Sequence, residues 1–304
     1  MKLLNKEVRI ETTSRCNSKC TICPREKMTR PKTTMGLKHF CNLIDQAKEL
    51  GAETISVFGY GEPLLDKTIL EKVKYCTDNG LKTFITTNAS LLNTNMAYGL
   101  LRAGLSHIRF SVHGLYKNYE AVHRGLNFLD VLRNVVNFTK INETQFDHKC
   151  RVDVSVIPMH GETVDEITKF WGKIVDDITV WSPHGWAGGR SYRELKRRLK
   201  SCGRPFNGPV QIQSDGKMIV CCFDTNGELT VGDTNKESIE DILKGERFNE
   251  IRRKHAEGDL TGLICNMCDQ LNIEENSPLL YSTIDNEINK TSSTKFKLHV
   301  EEIN

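Results

Sequence analysis

The feature that most constrains the fold is an alternation of short β-branched runs with amphipathic segments from Val8 to Trp181. Six runs are predicted strands: VRIETT (8–13), TISVFG (54–59), KTFITT (82–87), HIRFSV (107–112), RVDVSVI (151–157) and DITVW (177–181). Between them lie helix-like stretches such as LKHFCNLIDQAKELG, with apolar residues three and four apart. This alternation predicts parallel βαβ units, in which the loops that follow the strands build the functional site.

Composition narrows the functional class. The chain has 304 residues, with 42 basic against 39 acidic side chains and a net charge of +3. No long block of like charge points to a nucleic-acid partner, and the run RSYRELKRRLK (190–200) has the spacing of a solvated helix face. No segment reaches the roughly 18 apolar residues of a membrane span, and the N-terminus lacks the apolar block of a secretory signal. We therefore expect a cytoplasmic protein with no membrane partner.

The pattern changes in the C-terminal third. VQIQSDGKMIVCC contains an Asp-Gly turn between alternating runs, which predicts a hairpin, and SIEDILKGERFNEIRRKHAEG predicts a broken helix. We expect a first domain over residues 1–190, a second over 191–275, and a polar tail over 276–304 in which KFKLHV is a possible strand.

Eleven cysteines in a chain expected to be cytoplasmic favour metal or redox ligands over a disulfide framework. Cys16, Cys20 and Cys23 follow the first predicted strand with the spacing C-x3-C-x2-C. A tetrahedral structural zinc site needs a fourth ligand, and no other His or Cys lies nearby in the sequence. A 4Fe–4S cluster bound by three thiolates instead leaves one iron open to a cofactor or substrate.

This cysteine motif resembles that of the radical S-adenosylmethionine (radical SAM) enzymes. The resemblance implies a partial (β/α)6 barrel, a 4Fe–4S cluster on Cys16, Cys20 and Cys23 whose open iron binds SAM, and an external one-electron reductant of flavodoxin or ferredoxin type. Ile22, before the third cysteine, stands where the family often has an aromatic residue; from its bulk and apolar character, the resemblance implies that it packs near the adenine.

Three later stretches match the family in order. Gly61-Glu62-Pro63 resembles its GGEP motif, whose backbone receives the SAM amino group. TTNASLL implies that Asn88 approaches the ribose, and FSVHG implies that Ser111 approaches the polar groups of SAM. His113 replaces the family's common Asp, and Arg124 has the spacing of an arginine that contacts the SAM carboxylate.

A second cysteine group lies in the C-terminal third. Its pattern resembles the short Twitch form of the SPASM extension of radical SAM enzymes, which implies one auxiliary 4Fe–4S cluster on Cys202, Cys221, Cys265 and Cys268. The family pattern aligns Cys221, rather than the adjacent Cys222, with the ligand. Zinc is the alternative, because four cysteines with a C-x2-C knuckle also suit that ion.

The resemblance implies that the reduced first cluster cleaves SAM to methionine and a 5′-deoxyadenosyl radical, which removes hydrogen from a substrate C–H bond. The whole arrangement resembles that of small aminocyclitol dehydrogenases with one Twitch cluster. We expect a dehydrogenase-like oxidoreductase that oxidises a small polar substrate, such as a sugar, cyclitol or nucleotide-linked alcohol, by two electrons, with the auxiliary cluster as acceptor.

Two other functions stay open. One is modification of a partner peptide, which we consider less favoured because the first strand starts at Val8 and leaves no room for a winged-helix peptide-binding domain. The other is a non-catalytic iron–sulfur electron carrier. The catalytic candidates are His184, Arg190 and Asp224, in the loop after the sixth strand and in the hairpin segment; for each, a turn hydrogen bond or a surface position is the alternative.

Overall fold

The computed structural model describes residues 1–195, 198–272 and 279–283. Within them the strands are β1 (Glu7–Ile10), β2 (Lys19–Cys20), β3 (Thr54–Val57), β4 (Lys82–Thr87), β5 (His107–Ser111), β6 (His123–Arg124), β7 (Arg151–Val156), β8 (Asp177–Trp181), β9 (Val210–Ile212), β10 (Lys217–Ile219), β11 (Thr230–Asp233) and β12 (Leu279–Ser282). The α-helices there are α1 (Leu37–Glu49), α2 (Ile69–Asp78), α3 (Thr94–Arg102), α4 (Tyr116–Val122), α5 (Phe128–Gln145), α6 (Val164–Trp171), α7 (Arg204–Asn207), α8 (Ile239–Lys244) and α9 (Glu246–Glu257).

A ten-stranded sheet organises the described residues, in the order β11-β10-β9-β1-β3-β4-β5-β7-β8-β12. Its centre, from β1 to β8, consists of parallel strands in chain order. β1 pairs on its other side with β9, and β8 pairs with β12, so the two ends of this parallel set do not close on each other. The sheet is therefore a partial barrel, and the six predicted strands are confirmed, with both ends of β4 and β8 as expected.

Alternate residues of the barrel strands face opposite sides of the sheet, and the two sides differ in polarity. Val8 and Ile10 in β1 are fully buried, and in β5 Phe110 packs edge-on against Phe138 of α5, 6.0 Å between ring centroids. The intervening residues are polar: Arg109, for example, donates to both oxygens of Asp153 at 2.6 and 3.0 Å. Because side chains alternate across a strand, the helices cover an apolar face and the opposite face is left polar.

The C-terminal third extends the same sheet. β9 and β10 form the predicted antiparallel hairpin, and Gly216 in its turn has φ +88°, which glycine adopts at little cost. β9 lies parallel to β1, with Val8 opposite Val210. α8 and α9 are the predicted broken helix, interrupted at Gly245. β12, which the sequence did not predict, lies in the expected tail, whereas KFKLHV falls outside the described residues.

The prediction of a helix over residues 190–200 is wrong: the described positions, 190–195 and 198–200, are not helical. The arginines of this run reach the second cysteine loop instead. Arg193 Nε donates to Asp269 at 3.0 Å, and Arg198 Nη2 donates to the carbonyl of Cys265 at 2.8 Å. Within the described part of the chain, no helix has the length and apolarity that crossing a bilayer requires.

Candidate active site: two cysteine loops and the cleft beside them

The first cysteine loop leaves the carboxyl end of β1. Cys20 lies in β2, which pairs with β6 and brings Cys20 opposite His123. Two groups approach the Cys20 sulfur, the Ser18 hydroxyl at 3.1 Å and His123 Nδ1 at 3.3 Å. Burial raises the pKa of all three thiols, to about 12 for Cys20. Binding of iron as thiolates must therefore displace protons.

Gly61 allows the loop after β3 to touch the cysteine loop. A Cβ atom at this position would lie 2.0 Å from the carbonyl oxygen of Thr13 and 2.7 Å from that of Arg15. The next residue joins the two loops directly, because the Glu62 N–H donates to the Arg15 carbonyl at 2.8 Å. A side chain at position 61 would force the two backbones apart.

Glu62 ties together the loops that follow β3 and β4. Its carboxylate is buried and accepts hydrogen bonds from the Leu64 N–H at 3.0 Å, the Thr87 hydroxyl at 2.6 Å and the Asn88 N–H at 2.8 Å. Burial raises the pKa of Glu62, although these three hydrogen bonds act to lower it. The Glu62 side chain thus builds the loop geometry, and Asn88 is positioned through it.

The other predicted SAM contacts lie around the same barrel edge. The Asn88 amide donates to Asn17 Oδ1 at 3.0 Å, on the cysteine loop. Ser111 ends β5, and Arg124 lies opposite Lys19 in the β2–β6 pair. Ile22 is 4% exposed and packs in a small apolar cluster whose other buried members are Val122 and Ile157. This cluster includes residues after β7, so an apolar surface exists beside the cysteine loop, as the adenine prediction requires.

The second cysteine group converges from three segments. Burial, and then the neighbouring thiols Cys202 and Cys268, raise the pKa of Cys265 to about 12. Burial, with Cys202 again as a neighbour, raises the pKa of Cys268 to about 12. The Cys222 side chain and burial raise the pKa of Cys221, and Cys202 raises it by a smaller amount. Cys202 therefore lies near all three of the other expected ligands.

The adjacent cysteines Cys221 and Cys222 have different surroundings. Cys221 packs with Cys202 and Cys265 against the main core, whereas Cys222 lines a cleft toward the barrel. Arg204 Nη1 lies 3.3 Å from the Cys222 sulfur, and the Tyr60 hydroxyl donates to the Cys222 carbonyl at 2.8 Å. Cys222 thus borders the cleft, whereas Cys221 shares with Cys202 and Cys265 a contact with the main core.

The cleft beside Cys222 joins polar and aromatic groups. It has about 630 Å³ of open space, and its lining includes Arg9, Phe58, Tyr60, Gln211, Trp186 and Phe223. Burial raises the pKa of Tyr60, and the thiols Cys222, Cys221 and Cys23 raise it further. Since these thiols belong to both cysteine groups, Tyr60 lies near both groups. The mixture of aromatic and polar lining side chains suits a small-molecule substrate.

Comparison with known proteins identifies this arrangement. Residues 10–170 match the family model described as the radical SAM superfamily, more than half of the chain. The chain belongs to the radical SAM superfamily. Residues 202–269 match the SPASM model, described as an iron–sulfur cluster-binding domain. The predicted barrel, the C-terminal iron–sulfur domain, and SAM and 4Fe–4S clusters as cofactors are thereby confirmed.

Individual relatives of this radical SAM protein differ in their chemistry. It is 31% identical over 247 residues to a GTP 3′,8-cyclase of Desulforamulus reducens, which covers 74% of this chain and 72% of that protein. Its fold is similar to that of BtrN in complex with AdoMet and 2-DOIA, with TM-score 0.62, 20% identity, and coverage of 93% of this chain and 100% of that one. It is also similar to Streptococcus suis SuiB bound to precursor peptide SuiA, with TM-score 0.66, 17% identity, and coverage of 82% and 66%.

One short segment of this radical SAM protein, residues 184–193, contacts both cysteine loops. Arg190 donates to the carbonyls of Thr21 at 3.2 Å and Cys23 at 2.5 Å. Asp269, next to Cys268, accepts from the Gly185 N–H at 2.7 Å and from Arg193 at 3.0 Å. The backbone turn at residues 185–190, together with the side chains of Arg190 and Arg193, therefore connects the two cysteine loops and fixes the distance between them.

The three catalytic candidates occupy different places. His184 stacks on Phe223 at 4.3 Å, burial lowers its pKa to about 4, and its Nδ1 is buried without a hydrogen-bond partner in the described residues. Arg190 braces the first cysteine loop. Asp224 is 1% exposed and accepts from the N–H groups of Glu228 at 2.9 Å and Leu229 at 2.7 Å. This geometry gives Asp224 a loop-stabilising role; its catalytic role stays a prediction.

Sequence reasoning missed three residues of the site. His123 contacts Cys20, Tyr60 lies near both cysteine groups, and Arg204 contacts Cys222. Arg204 had a sequence signal, because it follows Cys202 by two residues in CGRP. Tyr60 lies inside the FGYGEP stretch, but nothing in the sequence indicates that its hydroxyl reaches the second domain.

The donor set suits iron–sulfur clusters. Each cysteine of a 4Fe–4S cluster binds a different iron atom, so its thiolates need not surround one point. Over the described residues, no three His, Cys, Asp or Glu side chains are arranged to hold a single metal ion.

Proposed function

We propose that the protein is a radical SAM dehydrogenase that oxidises a small polar alcohol or amine by two electrons and passes one electron to an auxiliary 4Fe–4S cluster. The observation that carries this proposal is the segment 184–193, which contacts both cysteine loops next to the cleft that Tyr60 and Cys222 line. A substrate in that cleft lies between an electron source and an electron acceptor.

The proposal assigns the cofactor ligands residue by residue. Cys16, Cys20 and Cys23 would hold the SAM-binding cluster, and Cys202, Cys221, Cys265 and Cys268 the auxiliary cluster. SAM would lie along Ile22, Gly61, Glu62, Pro63, Asn88, Ser111 and Arg124, which share the barrel edge beside the first loop. Cys221 is preferred to Cys222 because the family pattern aligns it with the ligand and because Cys202 is one of its neighbours. A flavodoxin- or ferredoxin-type protein would supply the first electron.

The protein's own groups must handle one proton. Bound SAM, once reductively cleaved, supplies the hydrogen-atom acceptor for a substrate C–H bond. Oxidation of a CH–OH group to C=O then also requires loss of the hydroxyl proton and of one electron. His184 is the candidate proton acceptor, because its Nδ1 is buried without a partner in the described residues and its ring contacts Trp186 and Phe223, which line the cleft. Cys202, Cys221, Cys265 and Cys268 would hold the auxiliary cluster, which would supply the electron acceptor.

A second candidate is a nucleotide cyclisation. It is favoured by the 31% identity to a protein named GTP 3′,8-cyclase over 74% of this chain. In that case GTP would be the substrate. The third candidate, peptide modification, is supported by the likeness of fold to SuiB bound to its precursor peptide.

The test is an anaerobic reconstitution followed by substrate assays. The parent, a C16A/C20A/C23A variant, a C265A/C268A variant and the control C41A are assayed for iron, sulfide and zinc. Cys41 lies on α1, outside both groups, so its removal should leave the iron content unchanged. We expect about eight irons in the parent and about four in each multiple variant. 5′-Deoxyadenosine formation from SAM is then measured with aminocyclitols and sugars, with GTP, and with peptides.

The substrate arms separate the candidates. The proposal predicts that an aminocyclitol or sugar stimulates 5′-deoxyadenosine formation, with one oxidised product per nucleoside, and that C265A/C268A still forms the nucleoside but little product. Stimulation by GTP alone would replace the proposal with the cyclase. Zinc in the second site would remove the electron acceptor and contradict the oxidation.

A further inference from the structure

His123 connects the first cysteine loop to the interior of the protein. It is 1% exposed and lies directly opposite Cys20 in the β2–β6 pair. The adjacent backbone bond, from the Thr21 N–H to the Val122 carbonyl at 2.9 Å, holds the two segments together. The imidazole Nδ1 is 3.3 Å from the Cys20 sulfur.

The hydrogen bond on the other side of the ring determines its tautomer. The backbone N–H of His113 donates to His123 Nε2 at 3.0 Å. A backbone N–H can only donate, so Nε2 must present its lone pair, and a proton there would meet another proton. The single N–H of the neutral imidazole is therefore on Nδ1, where it points to Cys20.

The ring is held firmly in this orientation. The rings of Tyr119 and His113 lie nearly parallel to that of His123, at centroid distances of 4.4 and 4.9 Å. His113 is itself fixed, because the Ile157 N–H donates to its Nδ1 at 3.2 Å. Tyr119 is fully buried. Ring stacking and the two hydrogen bonds from the backbone N–H groups of His113 and Ile157 thus orient the Nδ1–H of His123 toward the Cys20 sulfur.

We propose that His123 is a positioning residue that raises the reduction potential of the SAM-binding cluster by donating a hydrogen bond from Nδ1 to the Cys20 thiolate. The inference rests on the proposed binding of that cluster by Cys16, Cys20 and Cys23. A donor to a ligand sulfur favours the reduced cluster, because reduction adds negative charge and strengthens a charge-assisted hydrogen bond. The Ser18 hydroxyl, 3.1 Å from the same sulfur, can add a second donor.

Two amide substitutions separate the two hydrogen bonds of the ring. H123N places an amide N–H near the position of Nδ1 and keeps a donor to Cys20. H123Q places its amide near the position of Nε2, keeps an acceptor for His113 and loses the donor to sulfur. Both variants remove the aromatic ring, so a loss of packing affects them alike.

The readout is the midpoint potential of the SAM-binding cluster, from an EPR-monitored redox titration of the reconstituted full chain. This cluster is recognised as the one whose spectrum changes when SAM is added. We expect H123Q to disfavour reduction about tenfold relative to the parent, a shift of ~59 mV to lower potential for one electron. H123N should keep a potential close to that of the parent. Equal shifts in both variants, or a parent-like potential in H123Q at full iron content, would overturn the proposal.

A measurement on the parent covers the case in which a variant does not retain its cluster. In protein labelled with ¹⁵N-histidine, pulsed EPR of the reduced SAM-binding cluster should detect a weak nitrogen coupling through the N–H to sulfur contact. Absence of that coupling refutes the hydrogen bond. Failure of the ligand assignment is recognised separately, because the C16A/C20A/C23A variant would then keep about eight irons.

Discussion

Gly61→Ala should disrupt the first cysteine loop, and the structure supplies the size of the clash. The new Cβ would lie 2.0 Å from the Thr13 carbonyl oxygen, whereas non-bonded heavy atoms prefer roughly 3.5 Å. One backbone must therefore move by about 1.5 Å. Overpacking costs about 1 to 3 kcal/mol, and the upper end applies here because the obstacle is main chain on both sides.

The assay is thermal unfolding of the reconstituted protein together with its iron content. Because the unfolding entropy is about 2.1 cal/mol/K per residue, a loss of about 3 kcal/mol lowers the midpoint of this 304-residue chain by about 5 °C. Displacement of the Arg15 carbonyl, which accepts from the Glu62 N–H, moves Cys16, so G61A should also lose much of the first cluster. The control is Gly36→Ala, where nothing lies within 4 Å of the new Cβ. Parent-like iron content and midpoint in G61A would refute the close-approach argument.

Three further substitutions test other parts of the structure. Lys72→Met leaves the buried carboxylate of Asp66 without its ion-pair partner, which lies at 2.5 Å, and should lower the free energy of unfolding in denaturant by about 3–5 kcal/mol. A D66N/K72M double variant should recover part of this loss. Burial alone would raise the pKa of Asp153, but the hydrogen bond from His107 and the guanidinium of Arg109 hold it below its usual value. The stability that comes from this lowered pKa is present at neutral pH and is lost as the pH falls. D153N should therefore flatten the decline of the thermal midpoint between about pH 5 and pH 3. Asp224→Asn should lower the thermal midpoint by the equivalent of about 1–3 kcal/mol, while the amounts of 5′-deoxyadenosine and product formed per cluster stay unchanged. If product formation is lost at unchanged stability, Asp224 is catalytic instead.

The barrel was predictable because local pattern and burial agree. β4 and β8 begin and end where the β-branched runs do, and β4 pairs with β3 and β5, the strands before and after it in the chain. The cysteine spacing and the Gly61-Glu62-Pro63 match likewise depend on short stretches of sequence. Gly61 approaches the carbonyls of Thr13 and Arg15 in the loop after β1, and β1 is the neighbour of β3 in the sheet.

The residues that connect distant segments were not predictable. The run at 190–200 has helical spacing, but its arginines make stronger hydrogen bonds to Asp269 and to loop carbonyls than a solvated helix face offers. His123 lies in a two-residue strand, too short for any periodicity to indicate, and its contact with Cys20 spans 103 positions. Such contacts depend on tertiary register, which no local pattern contains.

The parallel pairing of β1 with β9 has a consequence for how the chain matures. Val8 and Val210 are partners, so β1 has only β3 as a neighbour until the ribosome has made the last third of the protein. The link continues beyond the strand, because the Glu11 N–H donates to the Ile212 carbonyl at 2.8 Å and the Thr33 hydroxyl lies 2.8 Å from that of Ser214. Closure over so long a separation is slow, and the unpaired edge is exposed meanwhile to other chains. We therefore expect iron–sulfur assembly on the N-terminal loop to follow completion of the chain, and truncation after the barrel to remove the bonds that Glu11 and Thr33 make to residues 212–214.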